Sequence, residues 1–315
     1  MPHTSLVLGA GGFIGGHLLD RLLEEGCDTY GADLQIGHSR AKMTLGDLRD
    51  SDFVDALFAS IPGLEHVYQL AADMGGATYI NCGLHDADVM SNSVTINVNV
   101  ARACVKYGVK RLFFSSSACV YRAIQDTATC REEEVYPAFP DNEYGWEKLF
   151  TERMLRNFQR QYGLTVRIAR FHSIVGDRAQ WTGGREKAHS ALARKVALAA
   201  DGDEIEVLGD GTQLRTFLYV KDCVAGIRAL MDSDCEEPLN IGSDVTITID
   251  EYVRLLISIS GKSLRIRHVP GPTGVLQRYC DISKAKAQIG WSPRVSLEDC
   301  TRITYDWICD QIRQS

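Results

Sequence analysis

The chain has 315 residues, a net charge of −7, 45% hydrophobic and 24% charged residues. That suits an ordinary globular protein with a large core, and the lack of basic excess excludes one that wraps nucleic acid. Ten cysteines without a C-x-x-C pair argue against a metal site and for a reducing compartment, the cytoplasm; no secretion leader and no apolar run of about 18 residues point to secretion or a membrane.

The elements follow in order. SLVLGA (5–10) reads as a buried strand, FIGGHLLDRLLEEG (13–26) as a helix stopped by Gly26, and DTYGADL (28–34) as a second strand. A third strand precedes GDLRD (46–50), and HVYQLAA (66–72), KRLFFSSS (110–117) and LTVRIARF (164–171) continue the series. Helical spacing fills 50–60, 87–107 and 144–162. This alternation predicts an α/β fold, a doubly wound parallel sheet. After 172 the pattern changes. A polar, Gly-rich stretch leads into a helix ending near 200, EIEVLGDGTQLRTFLYVKD reads as two short strands and a turn, LNIGSD (239–244) is a strand, and a helix starts near 249. LRIRHVP is a last short strand before closing helical segments. The expected division is a sheet domain over 1–172, with a return strand near 215–245, and a smaller interleaved substrate domain over 173–315.

GAGGFIG (9–15) sits between a strand and a helix. Gly9, Gly12 and Gly15 let the backbone approach a pyrophosphate, and the helix start at Phe13 and Ile14 offers unpaired N–H groups to it. Asp33, ending the second strand, would bind the adenosine ribose hydroxyls and repel a 2′-phosphate, favouring NAD over NADP. Asp47 and Leu48 of GDLRD either contact the adenine or form an ordinary turn and helix cap.

EYGWEK (143–148) puts Tyr144 and Lys148 on one helical face, where an ammonium beside a phenol would lower its pKa and let it take a proton from an alcohol. These residues, with QLAA, SSSACVY and LNIGSD, resemble the extended short-chain dehydrogenase/reductase family over essentially the whole chain. The resemblance implies a C-terminal substrate domain and a nucleotide-sugar substrate held near Ser116 and Ser117. Cys119 stands where the family's 4-epimerases and 4,6-dehydratases carry Thr or Ser. Oxidation at C4 of a sugar acidifies the C3 and C5 hydrogens, and a thiol is a suitable proton carrier for inverting those carbons. Packing beside the strand end is the alternative reading of that cysteine.

AADMGG (71–76), RFHSIVG (170–176), WTGGREKA (181–188), GDGTQLRTF (209–217) and HVPGPTGV (268–275) extend the resemblance to the members of the family that epimerise GDP-mannose at C3 and C5. It implies that Tyr144 and Lys148 serve the C4 redox step with tightly bound, recycled NAD. Cys119 and Lys187 would be the acid/base pair, and GDP-L-galactose or GDP-L-gulose the product. Gly75 and Glu186 would line the sugar pocket, Arg215, Arg278 and Lys195 would meet the diphosphate, and Ser173 would stand beside it. A homodimer would form through a four-helix bundle of 87–107 and 144–162. Two departures stand out: Ser173 where the family usually has Asn, and His189 where it usually has Pro. Another NDP-sugar 5-epimerase, a 4-epimerase, a 4,6-dehydratase or a non-catalytic NAD-binding regulatory protein remain alternatives.

Overall fold

The structure, a computed structural model, describes residues 3–37, 41–122, 129–271 and 275–315; parts of the sequence stretches around 123–128 and 272–274 lie outside them. In chain order come β1 (Thr4–Leu8), α1 (Phe13–Glu24), β2 (Asp28–Asp33), β3 (Lys42–Leu45), α2 (Ser51–Ala59), β4 (Leu64–Gln69), α3 (Ala77–Ile80), α4 (Asp86–Lys106) and β5 (Arg111–Ser117). Then follow β6 (Thr129–Cys130), α5 (Glu143–Tyr162), β7 (Thr165–Phe171), β8 (Ile174–Val175), α6 (Ala188–Leu198), β9 (Glu204–Leu208), β10 (Leu214–Thr216), β11 (Leu218–Tyr219) and α7 (Val220–Asp232). The chain ends with β12 (Leu239–Ile241), β13 (Thr246–Thr248), α8 (Ile249–Ser260), β14 (Arg265–Val269), β15 (Tyr279–Cys280), α9 (Ser283–Ile289) and α10 (Leu297–Gln314).

Seven strands form one parallel sheet in the order β12-β7-β5-β4-β1-β2-β3. Successive side chains on a strand point to opposite faces, so a strand covered on both sides must be apolar throughout. In β1, Val7 packs with Leu18, Leu22, Ile227 and Met231 of α1 and α7. Its neighbours Leu6 and Leu8 pack on the other face with Phe58, Val100 and Leu155 of α2, α4 and α5. β5 does the same with Phe113 on one face and Leu112 and Phe114 on the other. Each such fully buried side chain contributes about 1.5–3 kcal/mol.

Two sequence expectations need correction. The stretch 204–222, read as two strands and a turn, holds three short strands and then opens α7. That helix was not expected. Its buried Val220, Val224, Ile227 and Met231 recur at helical spacing, but the apolar and aromatic run Phe217, Leu218 and Tyr219 just before it reads as extended. Among the described residues no helix is long and apolar enough to cross a membrane.

Candidate active site

The carboxyl ends of β1, β2, β4 and β5 open into a cavity of 710 Å³, lined among others by Gly9, Gly12, Phe13, Ile14, Gly15, Asp33, Asp47 and Leu48. Gly9 has φ 82°, and a Cβ on Gly15 would sit 2.0 Å from the Gly9 carbonyl oxygen; here only glycine permits the turn. α1 starts with no side-chain cap and no acidic residue in its first turn, so its free N–H groups and partial positive charge face the cavity's mouth, ready for a pyrophosphate. Asp33 accepts the Gly11 N–H at 2.9 Å at the end of β2. The residues present therefore fit a dinucleotide. Asp47 is clamped by Arg49 at 2.6 Å, which holds its carboxyl below the usual range.

Further in, Ser116, Ser117, Tyr144, Lys148, Gly75 and Lys187 also line the cavity. Asn142 caps α5 by accepting the Gly145 N–H at 2.8 Å, which fixes the start of the helix and so the Tyr144 ring. The Lys148 ammonium is buried, 3.7 Å from Glu147 and 5.5 Å from the Tyr144 ring centre. Within the protein alone, the expected lowering of the phenol pKa is not found. Burial pushes the Tyr144 pKa up, negative charge on Cys119 and Glu147 adds to this, and only a hydrogen bond to Ser117 pulls it back.

Cys119 lies on a single helical turn directly after β5. Its N–H donates to Ser117 Oγ at 3.2 Å, and it packs with Tyr79, Val89 and Tyr144. Lys187 is N-cap of α6. Burial lowers its pKa, while the charges of Cys119 and then Cys223 raise it, so sulfur and amine share one electrostatic neighbourhood.

Ser116 donates to buried Glu152 at 2.5 Å. Glu186 pairs with Arg194 at 3.0 Å. Lys195, in the last turn of α6, donates to the Glu206 carbonyl at 2.8 Å and is not among the cavity-lining residues. Ser173 has φ 33°, a left-handed conformation that Asn tolerates better than Ser. Arg215 is lowered to about 10 by burial and by Arg278 beside it. Arg278 donates to Cys119 Sγ and to Asp141.

Sequence reading passed over a clasp across the cavity. The Gly76 N–H donates to the Arg185 carbonyl at 2.9 Å. Arg185 in turn reaches Asp73 at 3.1 Å and the Tyr79 hydroxyl at 2.7 Å, and stacks on the Tyr79 ring. Arg178, another cavity residue, has φ 63° and pairs with Asp20 of α1 at 2.7 Å. Arg185 was inside a motif already singled out; Arg178 carried no local signal. Behind the site, Arg170 and Glu152 form a two-pronged buried pair at 3.0 and 2.7 Å. Arg170 also holds Tyr121, and Tyr121 and His172 both bond Asn240 of β12.

A strand–glycine–helix cradle, a carboxylate at the end of the second strand and a Tyr/Lys pair at the sheet's carboxyl edge fit an NAD-dependent epimerase or dehydratase. The profile of the NAD dependent epimerase/dehydratase family matches residues 5–242, and the chain belongs to that family. It is an NAD-dependent sugar epimerase. It is 38% identical to GDP-mannose 3,5-epimerase 1 of Oryza sativa subsp. japonica and 37% identical to GDP-mannose 3,5-epimerase of Arabidopsis thaliana, each over 98% of this chain and 82% of the relative. Among solved structures it resembles a UDP-glucose 4-epimerase of Thermotoga maritima with UDP-glucose, with TM-score 0.88 and 26% identity over 98% of this chain and 99% of that one. A UDP-glucuronic acid 4-epimerase of Bacillus cereus, in complex with UDP-glucuronic acid and NAD, gives TM-score 0.85 and 27% identity over 98% and 99%.

Proposed function

We propose that the protein epimerises GDP-mannose at C3 and C5 through transient oxidation at C4, giving GDP-L-galactose and GDP-L-gulose. The observation that carries this reading is that Cys119, held by Arg278, packs against Tyr144, which lines the cavity together with Lys187. A simple 4-epimerase needs only the Tyr/Lys pair; a thiol and a buried amine beside it suit proton exchange on the flanking carbons.

Gly9, Gly12, Gly15, Asp33 and Lys148, which line the cavity, would hold NAD. Bound there, NAD would supply a hydride acceptor for the C4 carbon. Tyr144 takes the C4 hydroxyl proton and later returns it. Cys119 and Lys187 remove and deliver protons at C5, then C3, from opposite faces of the ring. Arg215 and Arg278, two neighbouring cations, favour an anion beside them and are assigned to the diphosphate. Two copies pair through α4 and α5, a reading supported by exposed Trp146 and Phe150 on α5.

NMR of GDP-mannose turned over in D₂O tests the reaction. Deuterium at C3 and C5 is the expected result. Exchange at C5 alone makes the enzyme a 5-epimerase, and no exchange with NAD bound removes GDP-mannose as substrate. Cys119→Ser should abolish exchange while sparing C4 oxidation; full activity in that variant removes the thiol from the mechanism.

A further inference from the structure

We propose that His189 and Ser190 form a sugar-reading corner of the cavity, hydrogen-bonding a hydroxyl of the hexose on which Cys119 and Lys187 act. The proposal rests on the nucleotide-sugar reading above and names which side chains recognise the sugar itself.

Both residues line the cavity. They follow Ala188 in the first turn of α6, directly beyond Lys187. His189 is 3% exposed and Ser190 fully buried, yet His189 Nε2 and Ser190 Oγ have no hydrogen-bond partner. A buried polar atom without a partner carries a desolvation penalty that only a partner removes. Two such atoms on adjacent residues, at the wall of a cavity, mark a place where a ligand supplies the partner.

The imidazole is also held in place. It meets Phe217 edge-on, with ring centres 5.8 Å apart, and Phe217 is braced by Tyr252 at 4.6 Å. Burial, and then the neighbouring Lys187 charge, depress the His189 pKa to about 3, so the ring is neutral in the working range. A neutral imidazole nitrogen and a serine hydroxyl can each donate or accept, and a sugar hydroxyl can answer both.

The test uses the NAD-loaded protein and its variants His189→Phe, His189→Gln and Ser190→Ala. Calorimetry measures the affinity of each for GDP-mannose, UDP-glucose, GDP and UDP, alongside turnover and NAD content. His189→Phe keeps the contact with Phe217 and should lower affinity for the sugar nucleotide about 5- to 30-fold, the weight of one lost hydrogen bond in a buried site. Affinity for the free nucleoside diphosphate and NAD content should not change. Ser190→Ala should act in the same direction, and His189→Gln, which restores a neutral polar group, should recover most of the loss. Equal losses for GDP and GDP-mannose, a drop in NAD content, or no loss at all each overturn the proposal. A wild type that holds no sugar nucleotide more tightly than its nucleotide overturns it as well. Wild-type protein that binds a sugar nucleotide through His189 but epimerises none retains the corner and refutes the epimerase reading. Normal epimerisation and unchanged affinities in every variant do the reverse.

Discussion

Arg278 Nη1 donates to Cys119 Sγ at 3.4 Å while its Nη2 holds Asp141 at 3.2 Å. The sulfur is thus fixed by a residue 159 positions further along the chain. A guanidinium serves two partners at a set angle, which an ammonium cannot do. Arg278→Lys should therefore lower turnover about 10- to 100-fold, the usual consequence of misplacing a reacting group by an ångström or so, with NAD content unchanged. Steady-state rates and solvent deuterium exchange measure this. Normal exchange in the variant would show that the guanidinium does not position the thiol.

The pair between Glu152 and Arg170 is only 5% and 3% exposed. Removing one partner leaves a buried charge unanswered, at a cost of about 3–5 kcal/mol. Glu152→Leu should destabilise the protein by that amount in urea unfolding. Adding Arg170→Met should recover much of it, because no lone charge is left. A double variant as unstable as the single one would mean that the pair itself, and not the stranded charge, carries the stability.

A Cβ on Gly76 would lie 2.3 Å from the Glu186 carbonyl oxygen. Backbone cannot give way there as a flexible side chain would. Gly76→Ala should open the clasp to Arg185, accelerate NAD loss on gel filtration and raise the KM for the sugar nucleotide, with only a modest change in melting temperature. Unchanged NAD retention would show that the clasp does not hold the cofactor.

His172 and His189 are both buried and pushed down to about 3, in each case chiefly by burial. Above the unfolded value of 6.5 the folded and unfolded chains carry the same neutral rings, and these groups make no difference. As pH falls below 6.5, only the unfolded chain takes up the protons, so stability falls until about pH 3. Well inside that window each ring contributes a slope of about 1.4 kcal/mol per pH unit. Melting curves between pH 7 and 4 should show the decline, and His189→Phe should make it shallower. An identical slope in that variant would mean that His189 titrates normally.

The parallel sheet and the cofactor cradle were legible because both are written locally. Apolar strands alternate with amphipathic helices, and the glycines of 9–15 stand within one turn of each other. Tyr144 and Lys148 were legible for the same reason, being one helical turn apart. The arrangement around Cys119 was not. Its partner Arg278, the Arg170 pair behind it and the clasp from Arg185 to Asp73 join residues from distant segments, and spacing along the chain carries no trace of such meetings. α7 is hidden for a different reason: it follows β11 without a loop, so the strand residues Leu218 and Tyr219 run straight into the helix. The pKa of Tyr144 was misjudged because proximity to Lys148 is visible in the sequence and burial is not.

The dependence of Cys119 on Arg278 also sets an order in time. During synthesis the glycine cradle, Asp33 and the Tyr144–Lys148 helix leave the ribosome well before Arg278 does. A partly made chain can thus assemble its cofactor-facing half while its sulfur still lacks the guanidinium that holds it. The arrangement proposed for proton exchange gains that guanidinium only when β15, immediately after Arg278, pairs with β6, so the final stretch of translation separates a dinucleotide holder from the complete site.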